Sequence, residues 1–300
     1  MSKIFEALQK ARDVLPQGLP PVLTHQLSAS IDDASGIEET APEELEEELP
    51  QTSAKENSIR IVSIDSAAPV FPFSQSRTTA AEQYRMIRTR IVQNVEPGKL
   101  IVVSSAESGD GKTLSAINIG GALALKSDIN VLILDADLYR PAVAKTLGIP
   151  ARPGLTEVLR GTVPLRDAIV RTELYPNLYI LPAGEVVTNR SELLDSALWR
   201  KVCETARSRF HYTIVDAPPI DAVADYPLIQ AAGDYVVVII RPDHTNRVRC
   251  MHALQSVPSD KLIGTVINAM PDWFMLRNSN YHYYGYYGYY KQDSEKKAKD

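Results

Sequence analysis

From about Arg77 onward, short continuous apolar runs alternate with longer segments in which apolar residues recur at helical spacing. The runs show no in-and-out alternation, which is typical of parallel strands buried on both faces. We predict strands over residues 100–104, 131–135, 178–181, 212–216, 235–240 and 262–268. We predict helices over residues 79–95, 113–126, 194–209, 222–231 and 247–256. This order predicts an α/β fold with a doubly wound, mainly parallel sheet.

The first 76 residues follow a different pattern. Apolar side chains between Ile4 and Leu15 form one stripe, which predicts an amphipathic helix over residues 1–15. Because so short a helix is marginal alone in water, it either folds against a partner or membrane surface or packs on its own domain. Residues 16–76 include seven glutamates between positions 38 and 48. We predict a disordered acidic linker there, since this composition cannot bury enough apolar surface.

The end of the chain is aromatic without a helix or strand period. Residues 281–290 read YHYYGYYGYY and hold seven of the fourteen tyrosines. Two glycines interrupt the run, and a charged end follows it. We predict a globular domain over residues 77–275 and a flexible, solvated tail over residues 276–300.

Composition and charge narrow the class of protein. A net charge of −5 argues against a dedicated nucleic-acid binder, because binding the phosphate backbone needs clustered Lys and Arg. Cys203 and Cys250 have no C-x-x-C partner, which favours two buried thiols in a reducing compartment. No apolar run approaches the ~18 residues of a membrane span, and the first residues lack a secretory signal. We therefore expect a soluble, cytoplasmic protein.

A phosphate-binding loop follows the strand predicted at residues 100–104. The sequence GDGKT at residues 109–113 opens a predicted helix, and it departs from the pattern G-x-x-x-x-G-K-[ST] only at Ala106. Backbone N–H groups and the helix N-terminus would surround the phosphates, and the lysine would add a point charge. The predicted nucleotide contacts are Ser108, Gly109, Asp110, Gly111, Lys112, Thr113 and Leu114.

Three carboxylates follow two of the predicted strands. VLILD ends at Asp135 with Asp137 two residues later, and YTIVD ends at Asp216. The carboxyl ends of parallel strands line the ligand crevice, so these side chains should converge beside the loop. One or two of them can hold Mg²⁺, and another can accept a proton from an attacking hydroxyl. A single strand-end aspartate is often a helix cap or loop contact, but three beside GKT favour a catalytic set.

Three further polar residues are candidates for contacts near the site. Asn268 ends the last predicted strand, and its amide offers one donor and one acceptor for a base edge. We predict that Asn268 contacts adenine, with a structural turn as the alternative. Asp225 and Arg241 are weaker candidates for loop contacts near the site.

In this order the motifs resemble the bacterial tyrosine kinases, the cytoplasmic autokinases of capsule and exopolysaccharide synthesis. The resemblance covers residues 78–290 and rests on the modified Walker A loop, VLILDADLYRP, the Walker B-type TIVDAPP and the tyrosine cluster. The segment EQYRMIR at residues 82–88 looks like the family's E-x-x-R-x-x-R motif for subunit contacts. SKIFEALQKA looks like the start of the subgroup encoded with exopolysaccharide export systems. The resemblance implies a P-loop NTPase domain.

The resemblance also implies an activity and partners. The family uses ATP and Mg²⁺ to phosphorylate its own tyrosine cluster, in trans within a homo-oligomer. A transmembrane polysaccharide co-polymerase activates it at the inner face of the membrane, and a phosphotyrosine phosphatase reverses the reaction. The implied subunit contacts are Glu82, Arg85 and Arg88. The implied acceptors are Tyr281, Tyr283, Tyr284, Tyr286, Tyr287, Tyr289 and Tyr290.

The candidate residues can be assigned roles in this chemistry. A free tyrosine hydroxyl has a pKa of about 10 and is a poor nucleophile at neutral pH. We assign acceptance of its proton to Asp135. Asp137 and Asp216 would hold Mg²⁺ with Thr113, and Lys112 would neutralise charge on the β- and γ-phosphates.

Two other functions stay open. Tyr139 stands where the family usually has Arg, and Arg140 follows it as a substitute cation. An ATPase switch of the partition and division-site type usually has a lysine early in the loop, where this chain has Glu107, and it has no use for the tyrosine tail. A catalytically weak regulatory partner of the co-polymerase is favoured by Tyr139 and Ala106.

Overall fold

The computed structural model describes residues 59–70 and 78–270. The amphipathic helix predicted at residues 1–15, the acidic block and the tyrosine tail lie outside these residues. The strands are β1 Arg60–Val62, β2 Lys99–Ser105, β3 Val131–Asp135, β4 Val170–Thr172, β5 Leu178–Leu181, β6 Tyr212–Asp216, β7 Tyr235–Ile240 and β8 Leu262–Ile267. The helices are α1 Thr79–Asn94, α2 Lys112–Ala124, α3 Val143–Leu147, α4 Leu155–Leu159, α5 Leu165–Ala168, α6 Arg190–Leu194, α7 Ala197–Arg209, α8 Tyr226–Ala232 and α9 Arg247–Ser256.

The strands form one sheet in the order β1-β4-β5-β3-β6-β2-β7-β8. Neighbouring strands pair in parallel except for β4 and β5, which are antiparallel. The edge pair β1 and β4 therefore runs opposite to the other six strands. The predicted doubly wound, mainly parallel α/β fold is confirmed.

Apolar layers cover both faces of the sheet, which explains the continuous apolar runs. Ile133 of β3 packs in the layer that contains α1 and α2, whereas its neighbours Leu132 and Leu134 pack in the layer that contains α7, α8 and α9. Each such fully buried side chain contributes roughly 1.5–3 kcal/mol through removal of apolar surface from water. None of the helices in the described part of the chain is long and apolar enough to cross a membrane.

The strand predictions agree with the structure to within one residue, but two helix predictions need correction. The segment predicted as one helix over residues 194–209 forms α6 and α7. Ser196 separates them because its backbone is extended and its hydroxyl accepts a bond from the Trp199 N–H, which caps the start of α7. The helix predicted from residue 222 begins only at Tyr226, with Pro227 in its first turn, where proline is well tolerated.

The linker predicted over residues 16–76 extends too far toward the domain. Arg60 pairs with Val170 at the start of a parallel ladder between β1 and β4. The Glu173 N–H then donates to the Val62 carbonyl at 2.9 Å. Main-chain bonds to a distant segment hold this edge strand. Its three residues are too few to show an apolar period, so local pattern could not predict it. The globular domain accordingly begins before the predicted boundary at residue 77.

The close packing of α2 on the sheet can be tested at Gly120. A β-carbon there would lie 2.7 Å from Cγ1 of Ile133. We expect Gly120→Val to lower the free energy of unfolding by about 1–3 kcal/mol, because the core has no space for the added side chain. Urea denaturation of the full chain measures this change. Gly264→Val in β8 is the matched control, since nothing lies within 4 Å of its β-carbon position, and an equal loss there would contradict the packing argument.

Candidate active site

The phosphate-binding loop joins β2 to α2 through two glycines in the left-handed region. Gly109 and Gly111 have φ values of 93° and 91°, which glycine adopts without steric cost. A β-carbon on Gly111 would collide with the side-chain nitrogen of Asn268. No side chain caps the start of α2. Its first N–H groups therefore remain available for an anion.

Asp110 faces the protein interior and fixes the loop. Its fully buried carboxylate accepts bonds from the Glu107 N–H at 2.9 Å and the Thr245 hydroxyl at 2.8 Å. His244 Nδ1 lies 2.9 Å from the same carboxylate. Only the main chain of Asp110 is thus placed to face a nucleotide. The supporting role of His244 and Thr245 was not predicted, because these residues follow β7 and are more than 130 positions away along the chain.

Asn268 and Arg241 also contact this loop. The Asn268 side-chain amide donates to the Asp110 carbonyl at 2.9 Å. The Arg241 guanidinium lies 3.5 Å from the Gly109 carbonyl. The side chain of Asn268 therefore supports the loop, and its contact with adenine stays a prediction.

Lys112 lies among the predicted metal ligands. Its ammonium is 2.7 Å from Asp137 Oδ2 and 3.6 Å from Asp216 Oδ1. The Thr113 hydroxyl donates to Asp216 Oδ2 at 2.6 Å. The fold thus brings together four of the residues that the sequence singled out, because β3, β6 and the start of α2 meet at one edge of the sheet.

Asp135 is fully buried and pairs in register with Asp216 across β3 and β6. Its Oδ2 accepts bonds from the N–H groups of Ala142 and Val143 at 3.1 and 3.0 Å, and its Oδ1 accepts one from the Asp137 N–H at 3.2 Å. These bonds hold the segment between β3 and α3. An ionised carboxylate offers about four acceptor sites, so one remains after these three bonds.

Burial dominates the electrostatics of the site. It raises the pKa of Asp135 well above its usual value, and the negative charge of Asp216 raises that pKa further. Burial also raises the pKa of Asp216, against the opposing attraction of Lys112. For Lys112, burial lowers the pKa, but attraction to Asp216 and Asp137 outweighs burial and leaves the pKa raised. The site therefore favours one retained cation and resists a full set of negative charges.

One oxygen of this set has no hydrogen-bond partner. Asp216 Oδ1 is buried and accepts no hydrogen bond within the described residues. Mg²⁺ prefers carboxylate and hydroxyl oxygens and keeps several of its waters. Asp137, Asp216 and Thr113 are therefore a chemically suitable donor set for Mg²⁺ or its waters.

A cavity of about 280 Å³ opens beside these groups. Its walls come from the phosphate loop, from residues 137–142 after β3 and from residues 218–223 after β6. Tyr139 and Arg140 contribute to its rim. A larger cavity of about 470 Å³ lies between α5 and α7 and contains none of the predicted site residues.

The remaining predicted residues lie elsewhere. Leu114 is in the first turn of α2, where its carbonyl accepts a bond from Asn118. On α1, Arg85 pairs with Glu82, and the Arg88 guanidinium lies 3.5 Å from the Ala122 carbonyl. Their role in subunit contact stays a prediction. The seven acceptor tyrosines of the tail lie outside the described residues.

Comparison with known proteins identifies the family. A ParA family model, described as NUBPL iron-transfer P-loop NTPase, matches residues 96–283. Tyrosine-protein kinase YwqD of Bacillus subtilis (strain 168) is 30% identical over 220 residues, which cover 72% of this chain and 91% of that protein. The chain belongs to the bacterial tyrosine kinases. This confirms the family that the sequence motifs indicated.

Two further similar proteins show how much of each chain is covered by the similarity. Tyrosine-protein kinase ptk of Acinetobacter johnsonii is 31% identical over 222 residues, but this chain covers only 30% of that protein's length. The crystal structure of the chimerical protein CapA2B2 superposes with a TM-score of 0.64 at 26% identity, covering 71% of this chain and 94% of that one. The similarity to these relatives and to this structure thus covers just over 70% of this chain.

The buried carboxylate of the loop gives a first prediction for the site. We expect Asp110→Ala to lower the free energy of unfolding by about 1–3 kcal/mol, because the Glu107 N–H and the Thr245 hydroxyl lose their acceptor. Urea denaturation measures this loss. The control is Asp221→Ala, which removes an exposed aspartate paired with His252 at 2.8 Å. We expect the control to change stability by less than about 0.5 kcal/mol, and equal losses would show that Asp110 has no special role.

The raised pKa of Asp216 gives a prediction for pH dependence. Because its pKa is raised, the Asp216 carboxyl stays protonated in the folded protein at a pH where the unfolded chain has already lost this proton. Ionisation of Asp216 therefore destabilises the fold as pH rises from about 4 through the raised pKa. Asp216→Asn cannot ionise and keeps a partner for Thr113. We therefore expect the stability of this variant, relative to the nucleotide-free wild type, to increase with pH over that range.

Chemical denaturation at a series of pH values, with no nucleotide or metal added, measures this difference. Asp260→Asn, an exposed aspartate between α9 and β8, is the control and should follow the wild type. A stability difference for Asp216→Asn that stays constant or shrinks with rising pH would contradict the argument.

Proposed function

We propose that this kinase uses Mg²⁺ and ATP to phosphorylate the tyrosines of residues 281–290, in trans within a homo-oligomer. By this reaction it regulates polymerisation and export of an exopolysaccharide or capsule. The observation that supports the proposal most strongly is the meeting of Lys112, Thr113, Asp137 and Asp216 beside one cavity. The relatives' own names, tyrosine-protein kinase, support the same reaction.

The nucleotide would bind along the phosphate loop. Backbone N–H groups of the loop and of the start of α2 would hold the phosphates, and Lys112 would neutralise their charge. Asp137, Asp216 and Thr113 would hold Mg²⁺. When bound, Mg²⁺ offsets the negative charge that phosphoryl transfer moves onto the phosphate oxygens. The carboxylates of Asp137 and Asp216, which now face one ammonium, would then face a divalent ion as well.

Asp135 is the proposed acceptor of the phenol proton. A general base works best when its pKa lies near the working pH, and burial moves the pKa of Asp135 in that direction. The one free acceptor site of its carboxylate is consistent with this role. The carboxylate is fully buried and is not among the residues that line the cavity, so this role requires the site to open toward Asp135 when substrate binds.

The tail would reach a neighbouring subunit because it is tethered to the assembly. A short flexible tether gives a local concentration of order mM. Each added phosphate brings about −1.5 to −2 charges at pH 7. Heavy phosphorylation should therefore loosen the oligomer, whose contacts we assign to Glu82, Arg85 and Arg88 on α1.

The partners follow from the same proposal. A transmembrane polysaccharide co-polymerase would recruit the kinase to the inner face of the cell membrane and activate it, and a phosphotyrosine phosphatase would reset it. Residues 1–15, which have one apolar stripe, are a candidate contact for either the membrane or that partner. Nucleic acid has no role in this scheme.

The iron-transfer function named in the matching family model is not proposed for this chain. Iron–sulfur clusters are held mainly by cysteine thiolates. The chain has two cysteines, Cys203 and Cys250, and both are buried. Burial raises the pKa of Cys203 to about 12, which disfavours the thiolate that a metal requires.

The proposed reaction makes a direct prediction for Lys112. We expect Lys112→Met to lower tyrosine phosphorylation at least ~100-fold, because phosphate charge loses its main cation. The measurement is mass spectrometry of residues 281–290 after purified full-length protein is incubated with ATP and Mg²⁺ and its co-polymerase. Lys126→Met is the matched control, since this exposed lysine just beyond α2 should tolerate the change.

Free phosphate and bound ATP, measured on the same incubation, separate the two alternatives. Free phosphate without phosphotyrosine would indicate an ATPase switch. ATP binding with neither product would indicate a catalytically weak regulatory partner. Equal labelling of the wild type and the Lys112→Met variant would refute the proposed site.

A further inference from the structure

Tyr139 is an exposed aromatic side chain that lines the cavity. It is 47% exposed, although Leu138 before it is buried. Its ring faces two guanidinium groups, with Arg140 Cζ at 5.4 Å and Arg190 Cζ at 4.8 Å from the ring centroid. Both distances fall within the ~6 Å range of a cation–π contact. An aromatic surface with two cations therefore lies beside the groups proposed for phosphoryl transfer.

Arg190 is fixed in place by a buried carboxylate. Its Nε lies 3.2 Å from Oδ2 of Asp225, which is 4% exposed, and its Nη1 donates to the Val187 carbonyl at 3.1 Å. The Ser191 hydroxyl donates to the other oxygen of Asp225. Arg190 is thus held in position before any ligand binds, and this explains the place of Asp225 near the site.

Arg140 supplies a charge that the described residues do not neutralise. Its backbone N–H donates to Asp137 Oδ1 at 2.9 Å, but its guanidinium has no ion-pair partner among residues 59–70 and 78–270. Lys112 and Arg190, by contrast, each pair with a buried aspartate. The rim of the cavity therefore has one cation available for an incoming anion.

The geometry points to a phosphotyrosine subsite built from Tyr139, Arg140 and Arg190. A phosphotyrosine supplies both an aromatic ring for Tyr139 and an anion for Arg140, whereas an unmodified tyrosine or a phosphate alone supplies only one of the two. Arginine is well suited to bind such a phosphate through paired N–H bonds. This inference rests on the proposed function, since it places a product of the reaction beside the cavity.

The tyrosine cluster suits such a subsite. In YHYYGYYGYY every tyrosine has another within three positions. In an extended chain, neighbours one or two positions apart are separated by roughly 3–7 Å. A tyrosine already phosphorylated can then occupy the rim while a neighbour enters the cavity beside Lys112 and Asp137. The first phosphorylation would thereby favour the next, and the cluster would be modified in succession.

Direct binding tests the subsite without requiring catalysis. The probes are three labelled peptides of residues 278–293, one unmodified, one with phosphotyrosine at Tyr287 and one with phosphoserine at that position. The protein is the full chain with all seven tail tyrosines changed to Phe, so that its own tail does not compete. Fluorescence anisotropy gives each Kd. We expect the phosphotyrosine peptide to bind about ten-fold more tightly than either of the others.

Variants of the rim residues show which side chains produce this preference for the phosphotyrosine peptide. We expect Arg140→Gln to reduce it to less than two-fold, Tyr139→Leu to reduce it several-fold, and Tyr139→Phe to keep it because the ring remains. Arg190→Gln is avoided, since it would leave Asp225 buried without its cation. Arg200→Gln on α7 is the matched arginine control. This variant should bind each of the three peptides with the same Kd as the protein whose rim residues are unchanged. Equal binding of the phosphotyrosine and unmodified peptides would overturn the subsite.

Two other outcomes identify other ligands and would also overturn the inference. Equal binding of phosphoserine and phosphotyrosine peptides would show a general anion site. If Arg140→Gln weakens ATP binding tenfold and leaves the peptide preference intact, the cation serves the γ-phosphate of the nucleotide. Tight, Arg140-dependent binding of the phosphotyrosine peptide supports the subsite even if the wild type shows no kinase activity. A failure of the proposed function can therefore be told apart from a failure of the subsite.

Discussion

The ion pair between Lys112 and Asp137, 2.7 Å long with Asp216 close by, is the interaction on which the site depends. Three aspartates meet at the carboxyl ends of β3 and β6, and Lys112 is the one lysine among them. Each buried charge costs free energy unless it is paired or hydrogen-bonded. The fold meets this cost only in part, through backbone bonds to Asp135 and the hydroxyl of Thr113. The remaining deficit of positive charge is the electrostatic reason that a divalent cation would bind there, and that cation together with Lys112 would then hold the phosphate chain.

The rest of the domain holds this charge cluster in place. Parallel pairing sets Asp135 opposite Asp216, so the register of β3 and β6 fixes the spacing of two carboxylates. The loop that presents Lys112 is fixed from behind by Asp110, which connects it to the segment after β7. Asp110, Asp135 and Asp216 are all buried, and so is Thr245 after β7. A change at any of them therefore acts on fold stability and on the site at once.

Local pattern predicted the strands and the loop because those signals are local. A strand buried on both faces needs a continuous apolar run, and GDGKT after such a run predicts a phosphate loop. The inward direction of Asp110 was not predictable, since an aspartate in a glycine-rich loop can face either solvent or protein. The pairing of β1 was also missed, because its partner β4 lies more than 100 residues away along the chain. The split between α6 and α7 depended on one serine cap inside an otherwise helical pattern.

At Tyr139 a departure from the family pattern brings an aromatic ring into contact with a residue that is distant in the sequence. The position that usually supplies a cation here supplies a ring, and two cations lie against that ring. One of them, Arg140, is its neighbour in sequence. The other, Arg190, comes from a helix about fifty residues later and is oriented by Asp225. Positive charge is thus retained at the rim of the cavity, while the ring adds an aromatic contact that an arginine at position 139 would not provide. The ring therefore offers a contact for an aromatic ligand in place of the charge that an arginine at position 139 would supply.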